Sequence, residues 1–507
     1  MFFGRELIYT DVKEITYENV AEVLKEAMPL HEKNSTEIQS LIDYEKGNQC
    51  KKREKKHRPE IDNWCVDNVA NEVTEFKLSF NWGNPITLSM RGKNEEADKS
   101  IIDGIYELNK FYDLQGYKAK QQELARFVEI SGVGYTFIDI NSDYEDGESP
   151  FTFDVFDPRC TFVIRSSYYP DKRVMLSVTY YCNKKGQKAF TCYTKEARYD
   201  LNWRYEHEEG SGQVNPIEIN PITEWIRNAD RMGCFERQIS EMDNLNQLIS
   251  DFTNDVEQNT DAIWWTNDVE FPVREVKAED GTVKTETVKP KGNDWVQTYT
   301  SQDGRAPSIN PLAINYDYPG MLNNIVARRA LILQKCNVPS RNDNSGGSTG
   351  VAMSDATGWT QAETEANRQD QIKDTCKMQE VRIVLKAIAK CPGFSSENPV
   401  RKLHYSDVEA HIPRLKTYEL TTKTNAICAL IGKGFSLEDT LTIAPLFEDN
   451  NQVIVRSGDG VRKYQEAQVY KTESATNEEE KRPFPDLSDQ ENNSPNIGGM
   501  TIKTNVN

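Results

Sequence analysis

The chain has 507 residues, and its 80 acidic side chains outnumber its 61 basic ones, which gives a formal net charge of -19 at pH 7. This balance argues against a free-standing DNA clamp, since Lys and Arg contacts to phosphates supply most non-specific affinity, but it leaves brief contact with DNA open. The ten cysteines form no Cys-x-x-Cys pair, and neither a secretory signal nor an 18-residue apolar run occurs, which predicts a soluble chain with reduced thiols.

The first 70 residues predict helices joined by polar segments, because apolar residues recur at helical spacing from Val20 and again from Ile38. A basic run follows these two stripes. It is either a solvated face or a contact for an anion or a partner, and the sequence leaves both interpretations open. The run consists of Lys51, Lys52, Arg53, Lys55, Lys56 and Arg58.

Alternation with a period of two predicts strands over residues 76–82 and again between Val133 and His207. The alternation from Phe76 to Trp82 predicts a strand, followed by a turn at 83–85. Two helices are predicted next, at about 95–112 and 117–130, the second ended by Gly132. Six short strands then predict a single meander, whose aromatic residues favour sheet packing over base stacking. These strands are 135–140, 151–156, 161–165, 174–182, 189–194 and 198–205.

A long amphipathic helix is predicted over Phe235–Gln258, with a wet side that is acidic. After it come the pair Trp264 and Trp265 and a hairpin signal over 273–288 with its turn at Asp280-Gly281. A second helix is predicted over Gly320–Asn337. A small α/β module inserted between two long helices predicts a stalk with a head.

Residues 341–350 contain three glycines and no apolar side chain, so this loop is predicted to remain unpacked. A long helix over Thr360–Lys390 follows it. One interpretation is a flexible linker between two ordinary helices, and the other is a loop that long helices hold toward something that moves past it. Farther on, an extended piece at 408–412 and helices over 415–431 and from Ser436 are predicted.

No motif for catalysis or ligand binding emerges. The nearest approach to a phosphate-binding loop, residues 431–436, lacks the hydroxyl after its lysine and is explained by a helix end. His404 and His411 lie seven residues apart without partners at zinc-like spacing. We therefore predict no catalytic, cofactor-binding or metal-binding residue, and no enzyme activity.

Seven loose motifs occur in one order between about Tyr44 and Ile454. They are Tyr44–Gly47 with the basic run, Asn63 with Phe80–Ile86, Leu124–Tyr135, Phe153–Pro158, Glu241–Phe252, Ser345–Met353 and Ser436–Thr440. Together they resemble the portal proteins of tailed double-stranded DNA phages, in the branch typical of long-tailed phages of Gram-positive hosts. The extra residues Gly346–Thr349 and the Trp264-Trp265 pair depart from the family's pattern.

The resemblance implies an α+β, portal-type ring subunit with a β-rich and helical wing, a two-helix stem, a small α/β clip, a long wing helix and a helical crown. The implied parts are the wing 1–234, stem helices 235–260 and 318–338, clip 261–317, tunnel loop 339–358, long wing helix 359–391, crown 392–470 and tail 471–507. The tail has a composition typical of a flexible segment, unless a partner holds it.

The resemblance also implies roles for particular residues. The tunnel-loop residues that would face DNA are Asn342, Asp343, Asn344, Ser345, Gly346, Gly347, Ser348, Thr349 and Gly350. The stem residues that would line a channel are Glu241, Asp251, Asp255, Glu257, Arg328 and Arg329. An acidic wall would let a duplex slide without sticking. The clip residues that would contact partners are Trp264, Trp265, Asp280, Gly281 and Trp295.

The implied function is a ring of about a dozen copies at one capsid vertex, through which DNA is packaged and ejected without sequence specificity. The implied partners are the terminase large subunit, the head-tail adaptor, the major capsid protein and the scaffold, with assembly in the host cytoplasm and no membrane. Two other classes stay open. One is a connector or baseplate ring without a DNA-gripping loop, and the other is a packaging or processing enzyme, against which the missing Walker lysine argues.

Overall fold

The structure is a computed structural model. It describes residues 4–49, 59–91, 99–170, 172–260, 264–267, 273–277, 283–287, 307–311, 317–339, 358–414, 420–443, 453, 457–458 and 460–466. The chain divides into two compact units, Met1–Leu415 and Lys416–Asn507. Helices and sheets both contribute to the first unit, which confirms the predicted α+β class.

The first unit contains seven described α-helices and fifteen described strands. The helices are α1 (Val20–Glu45), α2 (Val69–Trp82), α3 (Lys99–Leu114), α4 (Tyr117–Ser131), α5 (Ile239–Thr260), α6 (Tyr318–Lys335) and α7 (Trp359–Lys390). The strands before α5 are β1 (Ile8–Thr10), β2 (Thr87–Met90), β3 (Val133–Ile140), β4 (Phe151–Phe156), β5 (Thr161–Ser166), β6 (Val174–Cys182), β7 (Lys188–Tyr193), β8 (Ala197–Leu201), β9 (Gln213–Val214) and β10 (Ile222–Ile226). The strands after α5 are β11 (Trp264–Asn267), β12 (Val273–Lys277), β13 (Val283–Thr287), β14 (Ser308–Pro311) and β15 (Val408–His411).

A six-stranded sheet packs against the first half of α1. Its order is β1-β5-β6-β7-β8-β9, with β1 parallel to β5 and the other pairs antiparallel. Val20 and Leu24 on α1 are fully buried in one core with Phe162 and Ile164 of the sheet. The second predicted stripe, from Ile38, lies on the same helix but packs in another core with α2. One long helix therefore joins two cores.

The predicted single meander is wrong, although each predicted segment contains a strand. Strands β5 to β8 form an antiparallel meander, whereas β3 and β4 belong to a separate three-stranded sheet of order β10-β3-β4. Strand β10 follows the predicted meander in sequence, and all five of its residues pair with β3. Alternation identifies strands but carries no information on which strands pair across the chain.

The strand predicted over residues 76–82 is also wrong, because these residues complete helix α2. Phe76 and Phe80 are one helical turn apart and stack with ring centroids 5.5 Å apart. Leu78 and Trp82, also one turn apart, are buried in a different core from the residues at the start of the helix. Since two cores cover two sides of α2, apolar residues on both sides produce an alternating pattern.

The two predicted helices that precede the sheets are confirmed as α3 and α4. Gly132 ends α4 as predicted, with a φ of 81° in the left-handed region. A Cβ atom at this position would lie 2.4 Å from the Arg231 carbonyl carbon. Both the conformation and the close approach therefore require glycine here.

Helix α7, the predicted long helix, crosses the main core of the unit and carries a buried ion pair. Lys377 Nζ lies 2.6 Å from Glu380 Oε1. Tyr112 and Thr136 donate hydrogen bonds to the two oxygens of Glu380 at 3.0 and 3.2 Å. The Lys377 ammonium also lies 3.8 Å from the centroid of the Tyr112 ring. Each buried charge is thus compensated, which keeps the pair compatible with an apolar core.

Residues 392–414, which follow α7, pack within the first unit. Strand β15 pairs antiparallel with β2, with Val408 opposite Met90. Phe394, Val400 and Leu403 are buried in the same core as α7. The division between the two compact units therefore falls after Leu415, beyond the end of α7.

Short strands are described between α5 and α6. Strand β11 pairs antiparallel with β14, and Trp264 lies opposite Pro311. The predicted hairpin is confirmed as β12 and β13, with Val273 opposite Thr287. Its predicted turn at Asp280-Gly281 lies outside the described residues.

The second unit is described over helices α8 (Leu420–Gly432) and α9 (Leu437–Ile443). Ile427 and Leu441 form a small buried core between them. Ser436 begins α9 as predicted, because its Oγ accepts a hydrogen bond from the Asp439 backbone amide at 3.0 Å. Both helices predicted for this region are confirmed.

Candidate functional site

Helices α5 and α6 pack as an antiparallel pair. Glu241, near the start of α5, lies 3.9 Å from Arg328 Nη1 and 3.7 Å from Lys335 Nζ, toward the end of α6. Farther along α5, the ring of Phe252 meets that of Tyr318 at the start of α6, with centroids 5.8 Å apart. The chain therefore leaves α5 and returns in α6 at the same end of the pair, as the predicted stalk requires.

An extended segment, residues 63–67, runs along α5 and binds it through backbone amides. The amide of Asn63 donates to Asn254 Oδ1 at 2.7 Å, that of Cys65 to Ser250 Oγ at 2.9 Å and that of Asp67 to Asn246 Oδ1 at 2.9 Å. Two extended residues span about 6.6 Å and four helical residues about 6.0 Å, so the two spacings match. This match fixes the position of α5 along the 63–67 segment.

Replacing Asn254 with alanine is expected to lower the free energy of unfolding by about 0.5–1.5 kcal/mol, because the amide of the exposed residue Asn63 loses its acceptor in α5. Asn254 Nδ2 also donates to the Asn63 carbonyl at 3.3 Å, so both backbone groups of Asn63 exchange Asn254 for water. The measurement is denaturant unfolding followed by circular dichroism. Asn244→Ala, at an exposed position of the same helix, is the control, and equal stability of the two variants would contradict the expectation.

Of the four acidic residues predicted to line a channel, Glu241, Asp251 and Asp255 lie within about 80° of one another around α5, whereas Glu257 lies on another side. Glu241 faces the cations of α6. Glu257 accepts a hydrogen bond from the Asn63 side chain and so lies beside the 63–67 segment. Asp251 accepts a hydrogen bond from Gln247 at 3.0 Å, and Asp255 is half-buried. That all four residues line one channel stays a prediction.

The two arginines predicted for the same face have different surroundings. Arg329 Nε lies 2.9 Å from Asp67 Oδ2, and its Nη2 pairs with Glu72 on α2. Arg328 is exposed and donates to Asn324 Oδ1 at 3.1 Å. Arg329 therefore attaches α6 to the 63–67 segment and to α2, while Arg328 is about half-exposed and makes polar contacts only with the side chains of Asn324 and Glu241 among the described residues. Their place in a channel also stays a prediction.

A largely buried carboxylate, 14% exposed, connects the end of α6 to the start of α7. Glu365 Oε2 lies 2.6 Å from Lys77 Nζ of α2 and accepts a hydrogen bond from Asn337 Nδ2 at 3.0 Å. Its other oxygen lies 2.5 Å from Arg227 Nη2. Lys77 Nζ also donates to the Asn337 carbonyl at 3.3 Å. The two ends of the 340–357 segment are thus tied to each other and to the unit's core.

A second carboxylate, that of the fully buried Glu129, extends this network. Glu129 Oε2 lies 2.8 Å from Arg227 Nε, and Trp82 Nε1 donates to Glu129 Oε1 at 3.0 Å. Arg227 therefore bridges Glu129 and Glu365. Two carboxylates and two cations, Lys77 and Arg227, balance one another, as buried charges require.

The surrounding charges shift the pKa of Glu365 strongly. Burial alone would raise its pKa, but the adjacent Lys77 and Arg227 cations lower the pKa to about 2. Burial likewise opposes ionisation of Glu129, and the cations Arg227 and Lys373 hold the pKa of that carboxyl below its usual value. Both groups are therefore ionised at neutral pH and form a fixed ionic anchor.

Several predicted site residues lie outside the described residues. They are the tunnel-loop residues 342–350, the clip residues Asp280, Gly281 and Trp295, and the basic run 51–58. The backbones of Trp264 and Trp265 are described and belong to β11. The roles assigned to all these residues stay predictions.

Two general findings bear on the class of protein. Within the described ranges, no three His, Cys, Asp or Glu residues come together as a group that could hold a metal ion. No helix among those residues combines the length and apolar character needed to cross a membrane.

The comparison with protein families identifies the chain. The profile of the family described as phage portal protein, SPP1 Gp6-like, matches residues 26–480. Because this match covers most of the 507 residues, the chain belongs to the family of phage portal proteins. A search of curated proteins finds no match. The resemblance inferred from the seven motifs is thus confirmed at the level of the family.

Proposed function

We propose that about a dozen copies of this portal protein form a ring at one vertex of a phage capsid, and that double-stranded DNA enters and leaves through its centre. The observation that carries the proposal is the family match over residues 26–480. The ring assembles in the host cytoplasm, where the major capsid protein and scaffold join it, and becomes part of the virion.

The antiparallel pair α5 and α6 serves as the stem in this proposal. The pair is braced along one side by the 63–67 segment and by Arg329, which supports a rigid rather than a flexible stalk. The acidic residues of α5 belong to a chain of net charge -19, so DNA phosphates meet little attraction overall. A duplex slides through such a ring without being held at particular sequences.

The segment between α6 and α7 serves as the tunnel loop. Its two ends, Asn337 and the first turns of α7, are joined through Glu365. A polar, glycine-containing loop on a fixed base can follow the surface of a moving duplex with low barriers. The energy for movement comes from a separate ATPase, the terminase large subunit, which docks on the 261–317 module during packaging. The head-tail adaptor replaces it there afterwards.

Electron microscopy of the purified protein tests the ring directly. End-on views are expected to show rings of about a dozen subunits around a hole wide enough for a duplex. Rings that form normally but retain and package no DNA would favour a connector without a DNA conduit. Monomers in the presence of capsid protein and scaffold would overturn the proposed ring.

Trp264→Ala with Trp265→Ala is expected to weaken docking of the terminase large subunit or of the adaptor by at least about tenfold, because large aromatic residues dominate protein interfaces. Binding of each purified partner to rings of the variant measures the effect. The exposed Trp203, which lies on the turn after β8, provides the control Trp203→Ala. Unchanged affinity of the double variant would remove the tryptophan pair from the docking surface.

A further inference from the structure

A cavity of about 380 Å³ opens beside the Glu365 network. It lies between the end of α6, the turn that follows β10 and the first half of α7. Five charged residues line it, namely Arg227, Arg237, Lys335, Glu365 and Arg368. The volume falls within the range of about 300–1,000 Å³ that is typical of ligand sites. The lining therefore carries four cations and one carboxylate, although the chain as a whole is acidic.

The single carboxylate does not neutralise the cations that surround the cavity. Glu365 is held by Lys77 and by Arg227, and Arg227 is also bound to Glu129. Three cations therefore remain, and two of them have only weak partners. Arg237 pairs with Asp230 with 64% of its side chain exposed, and such exposed pairs contribute only about 0–1 kcal/mol.

The other two cations complete the positive lining. Lys335 Nζ lies 3.7 Å from Glu241 and is 38% exposed. Arg368 has no acidic partner among the residues that the structure describes, and it is exposed at the cavity's edge. Because these groups belong to three different elements, their charges converge on one space from several directions. This arrangement attracts an anion with several oxygen atoms.

We propose that this cavity binds a phosphate group of the DNA backbone. Guanidinium groups match phosphate oxygens in bidentate geometry, and both Arg237 and Arg368 have exposed guanidiniums at the cavity. The position favours DNA as the source, since the chain leaves for the tunnel loop after Asn337 and the helix that follows the loop carries Arg368. The inference rests on the proposed function, because only a DNA-conducting ring brings phosphates to this loop.

The site has a defined task in a chain that otherwise repels DNA. A single phosphate bound beside the loop gives a passing duplex a weak, sequence-independent hold, since phosphates carry no base information. The hold is easily released, because the cations are partly exposed and screened by salt. The cavity therefore binds the DNA backbone weakly and transiently and does not clamp it.

The test compares Arg368→Gln with Arg382→Gln, an equally exposed arginine farther along α7 that does not line the cavity. Fluorescence anisotropy gives the affinity of purified wild-type and variant rings for a duplex of about 30 base pairs between about 50 and 200 mM NaCl. The slope of log affinity against log salt is expected to fall by about 0.9 for each DNA phosphate that Arg368→Gln no longer neutralises. Arg382→Gln is expected to keep the wild-type slope. Arg237→Gln provides a second variant at the cavity and should also reduce the slope.

Equal slopes in all variants, or no binding of duplex by wild-type rings, would overturn the site. Repeating the titration with sodium phosphate at matched ionic strength separates the sources of the anion. One outcome is that free phosphate displaces the duplex from wild-type rings but not from Arg368→Gln rings, while the salt slope of Arg368→Gln for duplex equals that of wild type. This outcome would assign the cavity to free phosphate only. Loss of rings in Arg368→Gln, together with a wild-type slope in Arg237→Gln rings, would assign the cavity to a carboxylate of a neighbouring copy. Both results overturn the DNA assignment.

The same data separate this inference from the proposed function. If wild-type rings package DNA and the cavity variants keep the wild-type salt slope, the cavity assignment alone is overturned. A chain that forms no rings in electron micrographs would overturn the proposed function, and a salt slope that still depends on Arg368 would then leave a phosphate site on a different assembly.

Discussion

Deleting Ser345 to Thr349 is expected to reduce DNA packaging by at least about tenfold while ring assembly continues. The deletion removes five residues from the loop that begins after Pro339 and ends before Gly358. An extended residue spans at most about 3.6 Å and the loop must go out and return, so its reach falls by about 9 Å. In the proposed ring, a loss of this size takes the tip of the shortened loop out of van der Waals contact with the duplex, which needs a separation of about 4 Å.

The measurement is the amount of genome that an assembled head protects from nuclease. Ser345→Ala combined with Ser348→Ala keeps the loop's length and is expected to package nearly as well as wild type, because reach and not side-chain identity matters. Electron microscopy of the deleted protein should still show rings. Full packaging by the shortened chain would count against the assignment of residues 339–358 to a tunnel loop.

Long helices with one apolar stripe could be predicted closely from the sequence. The predicted helix 235–258 corresponds to a short 3-10 turn and α5, the predicted helix 320–337 to α6, and the predicted helix 360–390 to α7. Each has many turns, so the 3.6-residue period is repeated often enough to be distinguished from other periods. Two of them are also followed by a clear boundary signal, Pro339 after α6 and Cys391-Pro392 after α7.

Helix α2 shows the limit of the same reasoning. Phe76, Leu78, Phe80 and Trp82 alternate as a strand would, yet they are two pairs of residues one helical turn apart. The period is ambiguous because α2 is covered by two cores, and a helix covered on two sides has no single polar face. Tertiary packing decides between the two structures, and seven residues of local sequence do not contain that information.

The hydrogen-bonding row of α5 could have been found from the sequence. Asn246, Ser250 and Asn254 are polar residues four apart, which places them in one row along the helix. A row of small hydrogen-bonding side chains beside an apolar stripe indicates contact with polar backbone groups. In the structure these groups are the backbone amides of residues 63–67. The partner segment itself could not be identified, because it lies roughly 180–190 residues earlier in the chain.

The Glu365 anchor could not be predicted from local pattern. Its ion-pair partners Lys77 and Arg227 are 288 and 138 residues away in sequence. In the sequence each of the three is one charged residue among many, and charged residues are usually solvated. Only the fold brings them together, where burial of one ion requires the others.

Replacing Glu365 with glutamine is expected to lower the free energy of unfolding at neutral pH by about 3–5 kcal/mol, because the carboxylate that compensates Lys77 and Arg227 is removed. The side chains of Lys77 and Arg227 are only 2% and 9% exposed, so water replaces little of that interaction. Denaturant unfolding measures the change. The matched control is Asp374→Asn, the same chemical change at a partly exposed position of α7, expected to alter stability by less than about 0.5 kcal/mol.

The pH dependence distinguishes an ionic anchor from simple packing. The pKa of Glu365 is about 2 in the folded protein, against an ordinary value of 4.5, so the ionised carboxylate stabilises the folded state. That stabilisation is complete above about pH 4.5 and is lost as the pH falls toward 2, at about 1.4 kcal/mol for each pH unit. Because glutamine does not titrate, the difference in unfolding free energy between wild type and Glu365→Gln should shrink over this window. A difference that stays constant from neutral pH to pH 2 would show that Glu365 acts through its shape and hydrogen bonds alone.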